Sequence, residues 1–509
     1  MLVRALNVVT TQQTSQNFKE SIVRKAYSNQ LRMDCVPIEQ VALNFESRDE
    51  IVPVLAGLQH LYSQIALRDQ VTQLVAADVN EETRDDIGRE GFSYWQILVL
   101  GVVRLGCNLD YDKLQDLCEN HRSLRGILGV GDWGQTSFGW RRIRDTLCLL
   151  KPKTLEMINQ QIVSHGQQLH GEARSRVRAD SFVCETNIHY PTESSLIWDG
   201  MKKLIPLGRK LAGSLEIEGW RQASHQLKKI KQQVREIARL SASKSPQVKQ
   251  GIYPAYGVLL ERVGLVLDRI RSLKKAAQEA KLNPTEQSWL SQIERFYEPT
   301  SRVVDTAFRR TQLGETVANE DKIFSIFETH TQLYRRGKAG EPNQFGRLVM
   351  VYEDAAGFLS HYYLMGREEM DADVVIEQTK IAQSKHEDEI QDASFDRGYF
   401  SSTNQTELAT IVEHPCLPPR HRNQYAQWLQ SASVRIHRSR RHHSGIESAI
   451  GSFQRGNGMK RCRDKTELGL ERYLGLAVLG RNIHVLGKLL ITQANAKSES
   501  ARSKRKKPG

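Results

Sequence analysis

The period of the apolar residues changes several times along this chain, and each change predicts a different kind of element. Residues 1 to about 50 hold no sustained period and read as a loosely ordered N-terminal arm. From Ile51 the pattern is helical: Val54, Leu55, Leu58, Leu61 and Tyr62 recur at three-and-four spacing, and Trp95 to Leu105 is an almost continuous apolar face. Short helices separated by Gly-rich turns follow, so residues 51–170 are predicted as an all-α domain. At Arg176 the period becomes alternating, and Arg176-Val-Arg-Ala-Asp-Ser-Phe-Val-Cys-Glu reads as a strand. Helical stripes then return at Leu227, Ile230, Val234 and Ile237, and again at Val263, Leu267 and Ile270. Asn283-Pro-Thr-Glu supplies an N-cap and a first-turn proline for a further helix. Residues 201–339 are therefore predicted as a helical insertion. Its Lys- and Arg-rich faces (Arg221, Lys228, Lys229, Lys231, Arg235) suit either a solvated surface or a DNA flank.

Sheet character resumes at Gly346 to Glu353 and Phe358 to Leu364, a hairpin turning at Asp354-Ala-Ala-Gly. An amphipathic helix (Val374, Val375, Thr379, Ile381), a short strand from Ile390 to Phe395 and a helix to Ile411 come next. Residues 171–200 and 340–460 together form the predicted sheet core. The chain from Arg440 to about Leu490 reads as helical, with 461–495 as a C-terminal helix and 496–509 as a disordered basic tail.

Length changes this picture little: 509 residues fit about three domains of roughly 150 residues. Charge changes it more. Lys+Arg 72 against Asp+Glu 59 gives a net charge of +13, which favours polyanionic partners through counterion release. One predicted helix concentrates that charge: Gln135-Thr-Ser offers an N-cap, and Trp140, Arg141, Arg142 and Arg144 follow, a pattern suited to phosphate and groove contacts in a helix-turn-helix. A solvated arginine face on a packed helical domain accounts for the same residues. The seven cysteines are scattered singly, indicating neither a zinc ribbon nor a disulfide framework and fitting a reducing cytosol. No signal-peptide pattern stands at the N-terminus, and apolar stretches such as Trp95 to Val103 fall short of a membrane span. A cytoplasmic, nucleoid-associated protein is expected.

Phosphodiester cleavage and joining call for hard divalent cations, and such cations call for carboxylates delivered from different elements. Asp180 lies on the first predicted strand, Asp396 ends a later strand before Arg397-Gly-Tyr, and Glu447 lies on a helix beginning near His443-Ser-Gly-Ile. Each acid alone has an ordinary reading, as a turn cap or as a partner for Arg440 or Arg441. Their joint order along strand, hairpin, helix, strand and helix points to a shared site.

Four segments carry a resemblance. They are Ala179-Asp-Ser-Phe-Val-Cys-Glu-Thr-Asn-Ile-His-Tyr-Pro-Thr-Glu-Ser, then Ser325-Ile-Phe-Glu-Thr-His-Thr with Arg336-Gly-Lys-Ala-Gly, then Ser394-Phe-Asp-Arg-Gly-Tyr-Phe-Ser, and His442-His-Ser-Gly-Ile-Glu-Ser-Ala-Ile-Gly. With the closing Leu476-Ala-Val-Leu-Gly-Arg-Asn-Ile-His, the chain from about 50 to 490 resembles the DDE transposases of bacterial insertion sequences, in particular the ISNCY-type group. The resemblance implies an α/β fold, a ribonuclease-H-like mixed sheet interrupted by a long helical insertion and preceded by an all-α domain. It implies that Asp180, Asp396 and Glu447 hold two Mg²⁺ or Mn²⁺ ions. The implied partners are double-stranded terminal inverted repeats and target DNA, bound by a homodimer or higher oligomer, with no membrane. Many relatives place Tyr and Arg before the third acid and Lys seven residues after it, where this chain has Arg440, His443 and Gln454. The expected DNA-binding set is then Arg141, Arg142, Arg144, Lys338, Arg397, Arg441, Lys460 and Arg461, with Arg455 as a further neighbour. His189 beside Pro191 reads as a turn or substrate contact, not a metal ligand. Competing readings are a nuclease of the same fold without strand transfer, a domesticated non-catalytic DNA-binding protein, and a helical scaffold.

Overall fold

The computed structural model describes residues 22–27, 35–80, 89–131, 137–170, 175–335, 342–386 and 389–505. The fold is mixed α/β with a mixed seven-stranded sheet, and the chain divides into two compact units.

The first unit comprises residues 1–104, 109–161 and 486–509. Its elements are β1 (Ile22–Val23), α1 (Ile51–Ser63), α2 (Ile65–Val79), β2 (Arg89–Glu90), most of α3 (Tyr94–Gly106), α4 (Tyr111–Asn120), α5 (Arg122–Ile127), α6 (Trp140–Leu147) and the start of α7 (Pro152–Leu169). The apolar positions of α1 are buried where the three-and-four spacing puts them, at Val54, Leu55, Leu58, Leu61 and Tyr62. Asp78 is buried at the end of α2, accepting from Lys151 N at 2.7 Å and Thr154 Oγ1 at 2.8 Å, and so fixes the entry to α7. Two corrections follow. β1 and β2 pair in parallel, so this unit is not purely helical. Part of the expected loose arm carries structure, namely β1 and a 3₁₀ turn at Ile38–Gln40.

The second unit comprises residues 105–108 and 162–485. It starts with the end of α7 and β3 (Arg176–Thr186), then an insertion of helices α8 (Glu193–Ser214), α9 (Ala223–Ala242), α10 (Pro246–Lys249), α11 (Ile252–Glu279) and α12 (Pro284–Thr311). The predicted stripe residues Ile230, Ile237, Val263, Leu267 and Ile270 are buried together in the core of these helices. Asn283 caps α12 as expected, accepting from Thr285 N and Glu286 N, while Glu286 accepts from Asn283 N at 2.8 Å. At the base of the insertion Arg310 Nε, near the end of α12, donates to Glu193 Oε1 at 2.9 Å at the start of α8.

The sheet continues with β4 (Gln332–Tyr334), β5 (Gln344–Asp354), β6 (Leu359–Leu364), α13 (Asp371–Lys385), β7 (Asp392–Ser394), α14 (Ser402–Ile411) and β8 (His414–Cys416). The chain then forms α15 (Arg422–Ser431), α16 (Val434–His443), α17 (Ile446–Gly456), β9 (Arg461–Cys462) and α18 (Glu467–Arg505). Strand order is β4-β5-β3-β7-β8, with β6 also on β5 and β9 also on β3. β3–β5 and β5–β6 are antiparallel, whereas β3–β7 and β7–β8 are parallel. One sheet face (Val177, Ala179, Val183, Met350, Tyr352) packs against α13 and α14 through Val374, Val375, Ala382 and Leu408. Asn482 of α18, with no exposed area, accepts from Leu359 N at 2.9 Å and donates to Leu359 O at 3.0 Å, satisfying backbone of β6.

Three further expectations are corrected here. Residues 461–462 are strand, and the last helix begins at Glu467. That helix runs to Arg505, through most of the stretch expected to be an unfolded tail. It is also long and apolar enough to cross a membrane by composition over 467–497, contrary to the sequence estimate, but 72% of its apolar 18-residue stretch is buried inside the protein, as in a core helix.

Candidate active site

The central strand sets the geometry. On one edge β3 pairs with β5 along residues 177–185; on the other it meets β7 only at 176–178 and β9 only at 185–186. Between these two short partners, residues 179–184 have no strand on that side, and Asp180 lies in this gap. Side chains alternate along a strand, so Asp180 shares its face with Arg178 and Phe182, opposite the face packed on α13. Phe182 meets Phe453 of α17 edge to face at 5.9 Å between centroids, which identifies α17 as the cover of this face.

Register brings the second acid to the same end of the ladder. The last pair of the parallel β3–β7 ladder is Arg178 with Ser394, and Asp180 and Asp396 each follow it by two residues. Ala393 and Phe395 belong to the opposite core, which puts Asp396 on Asp180's face. Asp396 then caps the 3₁₀ turn Arg397–Tyr399, accepting from Arg397 N at 2.7 Å.

The third acid arrives from above. Glu447 sits exposed in the first turn of α17, just past the tight corner between α16 and α17. Arg178 ties that corner to the sheet: Nη1 donates to His442 O at 2.7 Å, while Nε and Nη2 bond Glu353 at 2.6 and 2.5 Å. A Cβ at Gly445 would run into the Arg178 guanidinium and displace it. Burial lowers the pKa of His443, while the charges of Asp396 and Glu447 pull it back up. Its Nδ1 is buried with no hydrogen-bond partner among the described residues. His442 is pushed down to about 4 by burial first and then by Arg178.

Two further groups stand on the α13 side of β3 without any sequence signal having marked them. Asp371, in the first turn of α13, accepts from Ser181 Oγ at 2.6 Å. Tyr399 is buried with its pKa raised well above the usual value, by burial first and then by the charges of Asp371 and Asp180. Asp371 reads in sequence as an ordinary acid at a helix start, which hides it.

Among the described residues no three Asp, Glu, His or Cys side chains stand close enough to hold a single ion. By donor type the three carboxylates suit Mg²⁺ or Mn²⁺, which take their remaining oxygens from water and phosphate, but they do not stand as a closed three-ligand cluster.

The expected DNA-binding residues fall in separate places. Arg141, Arg142 and Arg144 are exposed on α6; Arg144 pairs with Asp145 at 2.7 Å, and Arg141 lies over the Trp140 ring at 4.7 Å. The cap of α6 is Gly139, with no side-chain bond, and Gln135 and Thr136 lie outside the described residues. Lys338 also lies outside them. Arg397 stacks on Tyr425 at 4.0 Å, Arg441 and Lys460 are exposed, and Arg461 is engaged by Glu185 at 2.8 Å. His189 is held by Asp199 at 2.7 Å and Tyr190 O at 3.1 Å, and its pKa is raised, first by Asp199. Comparison of the chain with known protein families, with curated proteins and with solved structures finds no match.

Proposed function

We propose that this chain is a DDE transposase, binding the terminal inverted repeats of its insertion sequence and catalysing DNA cleavage and strand transfer. The single observation that carries the reading is that Asp180 and Asp396 each lie two residues past the last β3–β7 pair, on the side of the sheet where Phe182 meets α17, the helix of Glu447. The strand order, with an antiparallel hairpin on one side of β3 and parallel strands on the other, supports a ribonuclease-H-like core interrupted after its first strand. A helical scaffold has no use for such an arrangement of acids.

In this reading Asp180, Asp396 and Glu447 hold two Mg²⁺ or Mn²⁺ ions, which when bound supply an activated oxygen nucleophile and relief of charge on the leaving oxygen. Arg178 positions the α16–α17 corner and, through it, Glu447. Burial disfavours the charged form of His443, while Asp396 and Glu447 favour it. Arg397 and Arg441 flank the site with charge for phosphate. The helical first unit, with the arginines of α6, is the proposed end-binding domain, and the working form on paired ends is a homodimer or larger assembly.

The test is cleavage of labelled DNA carrying the flanking inverted repeats, in Mg²⁺ or Mn²⁺, by wild type and Asp396→Asn. Loss of cutting with retained binding is expected; equal cutting by both removes Asp396 from the chemistry. Assaying the joining of cut ends to a target separates a transposase from a nuclease of the same fold.

A further inference from the structure

Helix α15 has no buried residue, yet it carries Tyr425 and Trp428 one turn apart. Their rings are stacked, with centroids 5.9 Å apart and planes 27° from parallel. An aromatic pair placed on a helix to fill a core would be buried; this pair is half-exposed. It is nevertheless held firmly. Arg397, the residue after Asp396, lies 4.0 Å over the Tyr425 ring, and Arg440 of α16 donates to the Tyr425 hydroxyl at 2.5 Å. Arg420, just before α15, donates to the carbonyl of Arg397 at 3.2 Å and to that of Gly398. Tyr425 is thus clamped to the loop that carries Asp396, and Trp428 stacks on Tyr425. Arg422 and Arg441 are exposed nearby in the chain on α15 and α16.

Aromatic faces beside unpaired arginines are the means by which proteins hold single-stranded nucleic acid: every base has a π-face to stack, and the cations follow the phosphates. We propose that Trp428, backed by Tyr425, is a stacking platform for an unpaired base of the DNA strand engaged at the candidate site, with Arg422 and Arg441 serving the neighbouring phosphates. The proposal rests on the reading of the site as one that acts on DNA. It adds that the strand reaches Asp396 with at least one base out of its duplex, and that selection there is by stacking and so independent of sequence.

The experiment measures binding of a short labelled single strand of thymidines to the full chain without divalent ions, comparing wild type with Trp428→Ala and Trp428→Phe. Stacking on one ring predicts a loss of about 5- to 150-fold for Trp428→Ala and a smaller loss for Trp428→Phe. An abasic strand of the same length should bind wild type and Trp428→Ala equally. Trp428 is partly covered, so circular dichroism and melting of Trp428→Ala are measured alongside, and Trp428→Phe keeps a ring in the same place. Unchanged affinity of Trp428→Ala for the thymidine strand, or an equal loss on the abasic strand, overturns the platform. Neither cleavage nor metal enters this measurement, so its failure is separate from failure of the Asp396→Asn test.

Discussion

Replacing Arg178 by methionine tests how the third acid is held. The guanidinium makes two bonds to Glu353, whose side chain is 3% exposed, and one to His442 O. Methionine fills much of the same volume and leaves Glu353 as a buried charge. Removing one partner of a buried pair costs about 3–5 kcal/mol. Arg481, 3.8 Å from the other Glu353 oxygen, retains part of the attraction, which favours the low end, about 3 kcal/mol. The lost bond to the His442 carbonyl adds about 1 kcal/mol. A chain of two units has no single unfolding free energy, so the suitable assay is native-state hydrogen exchange of the β3 and β5 amides, which reads opening of this sheet alone. Arg178→Met should speed exchange there by the equivalent of about 4 kcal/mol, and the double variant with Glu353→Leu should recover most of it, because the buried charge is then gone. Cleavage should fall in both variants, since neither anchors the corner before Glu447. Protection within about 1 kcal/mol of wild type, or strictly additive effects of the two substitutions, would refute the reasoning.

Two other consequences can be measured directly. Gly445 has φ −77°, which alanine also adopts, so Gly445→Ala acts only through its collision with Arg178; a stability loss of no more than about 1 kcal/mol with at least a tenfold loss of cleavage is expected, and full cleavage would contradict the contact. Asp354 is buried and raised to about 7, by burial first, against the donors Gln167 Nε2, Phe358 N and Ala356 N. The unfolded chain gives up this proton first, so wild type should lose stability relative to Asp354→Asn as pH rises from about 4 to about 7, by at most on the order of 4 kcal/mol, and stay level above that. The asparagine oxygen still accepts from Ala356 N and Phe358 N, and a pH-independent difference in the protection of the β5 and β6 amides, after correction for the intrinsic exchange rate, would exclude the buried acid as its source.

Much of this fold is legible in the sequence wherever one physical signal dominates. Alternation from Arg176 fixes β3, the Asn283-Pro-Thr-Glu capping box starts α12, and the stripes at Ile230 and Val263 mark buried helix faces. Short strands escape: β4, β8 and β9 contain two or three residues, too few for a period, and exist because longer neighbours supply their ladders. The continuation of α18 to Arg505 is hidden because its charged end lacks an apolar stripe. At the site, the acids stand out by their order, but the β3–β7 ladder that precedes Asp180 and Asp396 pairs segments separated by the insertion, which no local pattern encodes. Asp371 and Gly445 become visible only once their partners Ser181 and Arg178 are in place.

The Glu193–Arg310 clasp bears on how the sheet can form at all. β3 and β5 must pair although the chain between residues 187 and 343 separates them, and that contact is long-range and slow to close. The insertion has its own core, so it can condense early, and the clasp then joins its two ends. What remains to be closed is the pair of short connectors, 187–192 and 312–343. By the logarithmic law for loop closure this lowers the entropic cost of the β3–β5 encounter by about 1 kcal/mol. The insertion thereby serves as a folding staple for the strand that carries Asp180, whatever else its surface touches.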